Sequence, residues 1–159
     1  MNIYQTNDYE KIAVLNEAVQ KVHAEAYPGY FKDYRYEEIK GFFKEIISKP
    51  NHIFLILEDE VETVGYAWLE IKHYPENPFK KAYKSLLVHQ ISIEEHVRGK
   101  GYGTVFMNEI FRLAADHHLP KVELDYWRDN KMARDFYEKL GFTIFREYVY
   151  KDIDSGGKQ

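Results

Sequence analysis

The segment Arg98-Gly99-Lys100-Gly101-Tyr102-Gly103-Thr104 constrains this chain more than any other. Glycines at alternate positions are costly inside a helix or strand, because each gives up more backbone freedom than any other residue. They therefore mark a turn. An apolar run ending at Ile91-Ser92-Ile93 precedes the turn, and Val105, Phe106, Ile110 and Leu113 follow it at helical spacing. The junction reads as strand, glycine loop, helix. The first N–H groups of a helix have no partner within it, and the macrodipole places partial positive charge there, so such a junction suits an anion. Glycines let phosphate oxygens approach the backbone closely. Arg98 and Lys100 add full charges. Two phosphate-loop readings fail on spacing. A dinucleotide fingerprint needs G-x-G-x-x-G, whereas Gly99, Gly101 and Gly103 give G-x-G-x-G. A P-loop needs four residues between its first Gly and Gly-Lys-Ser/Thr, and nothing here fits. The bland alternative is a glycine turn with its basic residues in solvent.

Around this junction the pattern predicts a mixed α/β chain. Residues 2–5 read as a short strand. Asn7 or Asp8 caps a helix carrying Ile12, Leu15, Val19 and Val22, which ends before Pro28-Gly29. A second helix fits residues 36–48, with Ile39, Phe42, Phe43, Ile46 and Ile47 as its apolar stripe. Strands over 53–57 and about 63–73, joined at Glu58-Asp59-Glu60, read as a hairpin. A strand over 84–93, a helix over 103–117 stopped before Pro120, and a short strand at 122–126 follow. A helix over 130–140 with Gly141 just past its end and a last strand over 142–150 complete the order β-α-α-β-β-β-α-β-α-β. The expected organisation is one domain, 1–151, and a flexible tail, 152–159.

Composition narrows the function. The chain has 159 residues, 45% hydrophobic and 30% charged, enough to bury a core without metal or disulfide staples. It has no Cys, which excludes disulfides, thiolate nucleophiles and Cys-based zinc sites. Met1-Asn2-Ile3-Tyr4-Gln5 lacks the basic and apolar regions of a signal peptide, and no apolar run approaches the ~20 residues of a membrane span. The expectation is a cytoplasmic protein with no membrane partner. A net charge of −4 argues against a nucleic-acid partner and mildly favours a cationic acceptor. The 16% of aromatic residues suits a packed core with a lined pocket.

Arg98-x-x-Gly101-x-Gly103, placed after a strand, resembles the acetyl-CoA signature of the GNAT superfamily of N-acetyltransferases. A second segment resembles the family's Asn-x-x-Ala-x-x-Phe-Tyr-x-x-x-Gly-Phe pattern, every defined position being filled by Asn130, Ala133, Phe136, Tyr137, Gly141 and Phe142. Likeness runs over about 53–150; the first fifty residues agree only in element order. The resemblance implies a mixed, mostly antiparallel central sheet flanked by helices. It implies acetyl-CoA as co-substrate, with the backbone of Arg98, Gly99, Lys100, Gly101, Tyr102, Gly103 and Thr104 around the pyrophosphate. It gives the pantetheine arm main-chain bonds from Ile91 and Ile93. It gives Asn130 a coenzyme contact, and Ala133 and Phe136 places on the same coenzyme-side helix. It gives the Tyr137 hydroxyl the protonation of the leaving thiolate. Family members are often dimers, so a homodimer is one expected state.

The implied reaction is direct attack of a primary amine on the thioester, the acceptor being a small molecule or a peptide. Several family members carry a carboxylate in the strand before the loop. Here that stretch is Val88-His89-Gln90-Ile91, so the assignment does not transfer. His89, with a pKa range suited to a base, and Glu70 on the neighbouring strand are the candidates; Glu94 is nearer the loop. His23, Tyr27, Tyr30 and Phe31, after the first helix, are acceptor-pocket candidates. His117-His118 sits at a helix C-terminus, where cationic His is favoured, and no metal is assigned. A competing reading is a non-catalytic acetyl-CoA sensing module of the same fold; the intact Tyr137 speaks against it, the missing strand carboxylate for it.

Overall fold

In the computed structural model, which describes residues 1–60 and 62–153, the element order follows the apolar pattern almost to the end of the chain. The described residues divide into a larger unit, Met1–Asp125, and a smaller one beginning at Tyr126. The larger unit contains β1 (Asn2–Gln5), α1 (Tyr9–Ala26), α2 (Tyr36–Ile47), β2 (His52–Asp59), β3 (Glu62–Tyr74), β4 (Tyr83–Ile93), a 3-10 turn (Glu95–Val97), α3 (Tyr102–Asp116) and β5 (Val122–Leu124). The smaller holds α4 (Lys131–Lys139). The expected tail lies, from residue 154 on, outside the described residues.

The sheet has the order β1-β2-β3-β4-β5. The first four strands pair antiparallel, and β4 with β5 parallel. This is the mixed, mostly antiparallel sheet flanked by helices that the sequence predicts. Asp8 caps α1, its Oδ1 accepting the Lys11 N–H at 2.9 Å. One face of α1 buries Ile12, Ala13 and Asn16, while α2 buries Phe43. These side chains form a core with Phe54, Ile56 and Tyr66, and Leu15, Val19 and Trp68 pack partly buried against it. Val22, counted in the helical stripe, is 52% exposed, so the buried stripe ends a turn earlier than the periodicity suggests. The alternation of β3 sends Tyr66 and Trp68 toward α1 and α2.

The strand expected over 142–150 does not form. These residues carry no regular structure, and Ile144, Phe145, Tyr148 and Val149 are exposed. The residues are β-favouring, but they read Ile144-Phe145, then Arg146-Glu147, then Tyr148-Val149-Tyr150. Arg146 interrupts the alternate apolar positions Phe142, Ile144, Tyr148 and Tyr150, and a strand without a ladder has no independent stability.

Gly65 marks the tightest approach in the sheet. A Cβ there would stand 2.3 Å from the Ser92 carbonyl oxygen and 2.9 Å from Ile93 Cδ1. Gly41, inside α2, has nothing within 4 Å of the same position. Two Gly→Ala substitutions are therefore expected to have opposite signs. Gly65→Ala should lose ~1–3 kcal/mol by overpacking, and Gly41→Ala should gain ~0.5–1 kcal/mol by helix propensity. Urea unfolding of both variants checks this; a Gly65→Ala protein as stable as wild type contradicts the packing described.

Candidate active site

β4 carries an extra residue. Leu69 pairs with Val88 but Trp68 pairs with Gln90, which leaves His89 as a one-residue bulge. Successive N–H groups of a strand point to opposite edges, so the bulge reverses their parity. Before it, the Leu86 N–H donates toward β5, to Lys121 O at 2.9 Å. After it, the Glu94 N–H donates toward β3, to Val64 O at 2.9 Å. By alternation, Gln90 and Ser92 also aim at β3, and the N–H groups of Ile91 and Ile93 aim the other way. β5 does not reach them, since its pairing ends at Val88↔Leu124. Within the larger unit, the edge of β4 beyond the bulge thus presents two backbone donors to a slot that no described strand of that unit fills.

The loop closes one end of that slot. Gly99 and Gly101 have φ of 80° and 88°, a left-handed conformation that other residues rarely adopt. Gly101 is the N-cap of α3 and offers no side chain to the helix. The first helical bond is Val105 N–H to Gly101 O at 3.1 Å, so Tyr102, Gly103 and Thr104 have no acceptor for their N–H groups inside the helix. The Arg98 Nε donates to Ile93 O at 3.1 Å, tying the loop back to the strand end. Lys100 is exposed. The Tyr102 side chain is buried and donates its hydroxyl to Asp59, so Tyr102 offers the loop only its backbone. That bond holds the Asp59 carboxyl below its ordinary range.

On the face toward α1 and α2, the bulge sets the His89 ring on Trp68, stacked with centroids 4.2 Å apart. His89 Nε2 lies 2.7 Å from Glu70 Oε2. The other Glu70 oxygen accepts from Asn51 Nδ2 at 3.2 Å. Burial alone would raise the Glu70 pKa, but the His89 hydrogen bond together with Lys72 and His52 outweighs it, and the carboxyl sits below its ordinary value. Trp68 Nε1 donates to His52 Nδ1 at 2.9 Å, and burial keeps His52 below the usual histidine range. His52, Glu70 and His89 bring their ligand-type atoms within 4.8 Å of one another, the composition of a metal site. The indole bond weighs against that role. Neutral His52 accepts at Nδ1 and so carries its proton on Nε2, which leaves no lone pair free on either nitrogen. Beside the bulge, Asn16 Nδ2 donates to the Tyr66 hydroxyl at 2.9 Å and to Gln90 Oε1 at 3.1 Å, and the Tyr66 hydroxyl donates to Gln90 Oε1 at 2.6 Å. Burial raises the Tyr66 pKa, so its proton stays in place.

The other candidates fall in separate places. His23 stacks on Phe31 at 4.7 Å and Tyr27 tilts against the same ring; burial lowers the His23 pKa and keeps the ring neutral. Tyr30 and Phe31 line a hollow of about 310 Å³ with Gln20, Asp33, Arg35 and Glu38. Glu94 is half-buried at the end of β4 and serves through its N–H. In the smaller unit, Asn130 caps α4 with Oδ1 on the Ala133 N–H at 3.0 Å, so its Nδ2 remains available for a ligand. Tyr137 is 8% exposed and ringed by Tyr126, Phe136 and Phe142; burial pushes its hydroxyl up to about 12. Sequence reading did not single out Asn51, His52, Gln90 or Asn16. The alternation Tyr66, Trp68, Glu70 along β3 is the one signal that points to their shared face.

The acetyltransferase (GNAT) family model matches residues 16–142, and the chain belongs to that family. An uncharacterized N-acetyltransferase of Archaeoglobus fulgidus is 27% identical over 120 residues, 74% of this chain and 79% of that protein. Among solved structures, a tetramutant of the BH1408 protein from Bacillus halodurans superposes with a TM-score of 0.89 at 21% identity, covering 96% of this chain and all of that one (100%). The aminoglycoside N-acetyltransferase AAC(6')-Iy, solved with CoA, superposes with a TM-score of 0.70 at 14% identity, over 96% of this chain and 94% of that one. At these identities the structural likeness speaks to the fold, which is the GNAT fold. Among the described residues no helix is long and apolar enough to cross a membrane.

An added Cβ at Gly101 meets nothing of the protein within 4 Å, so any side chain there projects into the space before the helix N-terminus. Gly101→Asp should cost stability only by the ~1–2 kcal/mol of a left-handed residue. Affinity for coenzyme A should fall roughly tenfold or more, an added ~1.4 kcal/mol at least. Calorimetry beside thermal unfolding checks both; unchanged affinity in the folded variant removes the loop from the site.

Proposed function

We propose that this chain transfers the acetyl group of acetyl-CoA to a primary amine on a small molecule or peptide, by direct attack with both substrates bound. The observation that carries this reading is the open edge of β4, where the Ile91 and Ile93 N–H groups stand next to a left-handed glycine loop at a bare helix N-terminus. Two backbone donors suit the amide-bearing pantetheine arm, and the loop suits a pyrophosphate. The residues present fit that molecule, which supplies the activated acetyl group.

The chain's own groups then divide the work. An alkylamine has a reference pKa of ~10.4 and must shed a proton before it attacks. His89 Nδ1 takes a proton from the amine. The C–N bond forms as the C–S bond breaks, and the departing sulfur takes the Tyr137 hydroxyl proton. The extra proton on the new amide nitrogen goes back to the Tyr137 oxygen, and His89 gives its proton to solvent. With its pKa raised by burial to about 12, Tyr137 keeps that proton at neutral pH and is a donor. Holding both reactants in place supplies much of the acceleration. The non-catalytic sensing module remains the second reading, favoured by the absence of a carboxylate between Val88 and Ile91.

Thiol release from acetyl-CoA, measured across polyamines, aminoglycosides and peptide N-termini, tests the proposal. Release that depends on the amine, with an equal amount of acetylated product, is the expected result; tight binding with no amine-dependent release supports the sensing module instead. With a competent amine, Tyr137→Phe should lower turnover ~10²–10⁴-fold. Its acetyl-CoA affinity should be nearly kept, because only a hydroxyl is removed. Turnover within about twofold of wild type, with chemistry rate-limiting, rules out Tyr137 as the acid.

A further inference from the structure

A histidine acts as a base only through a nitrogen that carries a lone pair, and its other nitrogen decides which one that is. His89 has one nitrogen engaged: Nε2 is 2.7 Å from Glu70 Oε2. Glu70 is partly buried, with 16% of its side chain exposed, and its carboxyl is held below the ordinary range. It is therefore an anion at neutral pH and accepts, so the shared proton belongs to Nε2 of the imidazole. Asn51 donates to the second Glu70 oxygen, which fixes the plane of the carboxylate. Trp68 fixes the plane of the imidazole from below, since its ring stacks on His89 with 19° between the planes. The indole is itself anchored by its bond to His52 Nδ1 and by rings of Phe42, Phe43 and Phe54.

We infer that Glu70, oriented by Asn51, is the positioning carboxylate that holds the His89 proton on Nε2 and keeps Nδ1 as the lone-pair nitrogen facing the acceptor amine. This rests on the reading of the chain as an amine acetyltransferase. It also reassigns Glu70, a candidate base by sequence, to a role exercised through His89. The carboxylate missing from β4 is in this way supplied from β3, one strand over. In the reaction the amine proton passes to His89 Nδ1, the ring becomes an imidazolium, and Glu70 stabilises that charge without taking a proton. The charged and titratable groups around the pair are Glu70 and Lys72 on β3, His52 on β2 and Lys49 in the turn before β2.

The test is the ¹⁵N NMR spectrum of the histidine rings in the full chain, with and without Glu70→Gln, read above the pH at which His89 ionises. In the wild type the proton of His89 should be on Nε2 and Nδ1 should show the shift of an unprotonated nitrogen; His52 should show the same tautomer because Trp68 occupies its Nδ1. In Glu70→Gln a population with the proton on Nδ1 should appear. With a competent amine, kcat should then fall roughly tenfold or more with KM little changed. Asn51→Ala should shift both readouts the same way by less. A wild-type His89 protonated on Nδ1, or a Glu70→Gln ring spectrum identical to wild type, overturns the assignment, and the first of these needs no variant to fold. Failure of thiol release with every amine strikes the acetyltransferase reading and leaves the tautomer result to decide the role of Glu70.

Discussion

One residue too many in β4 governs this molecule. If the strand ran without a bulge, the even-numbered N–H groups would go on pointing toward β5, as Leu86 does. Ile91 and Ile93 would then be tied into β3 and unable to meet a ligand. The extra residue at His89 reverses that parity and lets β4 keep its bonds to β3 while turning a fresh pair of donors to the open side. It also lifts the His89 side chain out of the ladder onto Trp68. The slot and the candidate base are two consequences of one irregularity, and this is why both lie within a few residues of the glycine loop.

A bulge needs neighbours that make it the preferred register. On one side Asn16 of α1 and Tyr66 of β3 both bond the Gln90 side chain. Slipping the register by one residue would break those bonds and leave buried polar atoms without partners, a cost of ~1–3 kcal/mol for each. On the other side Trp68 receives His89 on a ring already packed against Phe54 and Phe43. Aromatic pairs of this kind add ~0.5–1.5 kcal/mol beyond their buried area. Gly65 completes the arrangement by letting β3 come close to Ser92 and Ile93 just past the bulge. The core under α1 and α2 thereby reaches the candidate base through one ring, since the core residues Phe43 and Phe54 pack against Trp68, on which His89 stacks.

Local signals made most of the fold legible. Asn7 or Asp8 is read as a cap because a short polar side chain before an apolar-periodic run has a donor to satisfy, and Asp8 accepts the helix N–H; Asn130, read as the first residue of its helix, is the cap of α4. Gly141 is read as a helix stop because only a left-handed residue ends the turn there, and its φ is 85°. The glycine loop is legible by spacing alone. What was hidden depends on pairing across distance. Nothing in Val88-His89-Gln90 announces a bulge, because the parity of a strand is set by its partner. Nor does the sequence announce that Asn51, His52, Glu70 and His89, drawn from three strands and a turn, share a few ångströms. The segment 142–150 failed for the opposite reason: strong β propensity was legible, and the ladder that would use it was not.

The central claim is that the edge of β4 past His89 holds acetyl-CoA through two backbone donors. Amide hydrogen exchange measured residue by residue, with and without acetyl-CoA, tests it most directly. Binding should slow exchange at Ile91 and Ile93 and at Tyr102, Gly103 and Thr104. It should leave Gln90 and Ser92 unchanged, because their N–H groups already face β3. Binding detected by calorimetry with exchange at Ile91 and Ile93 unaltered would contradict the account.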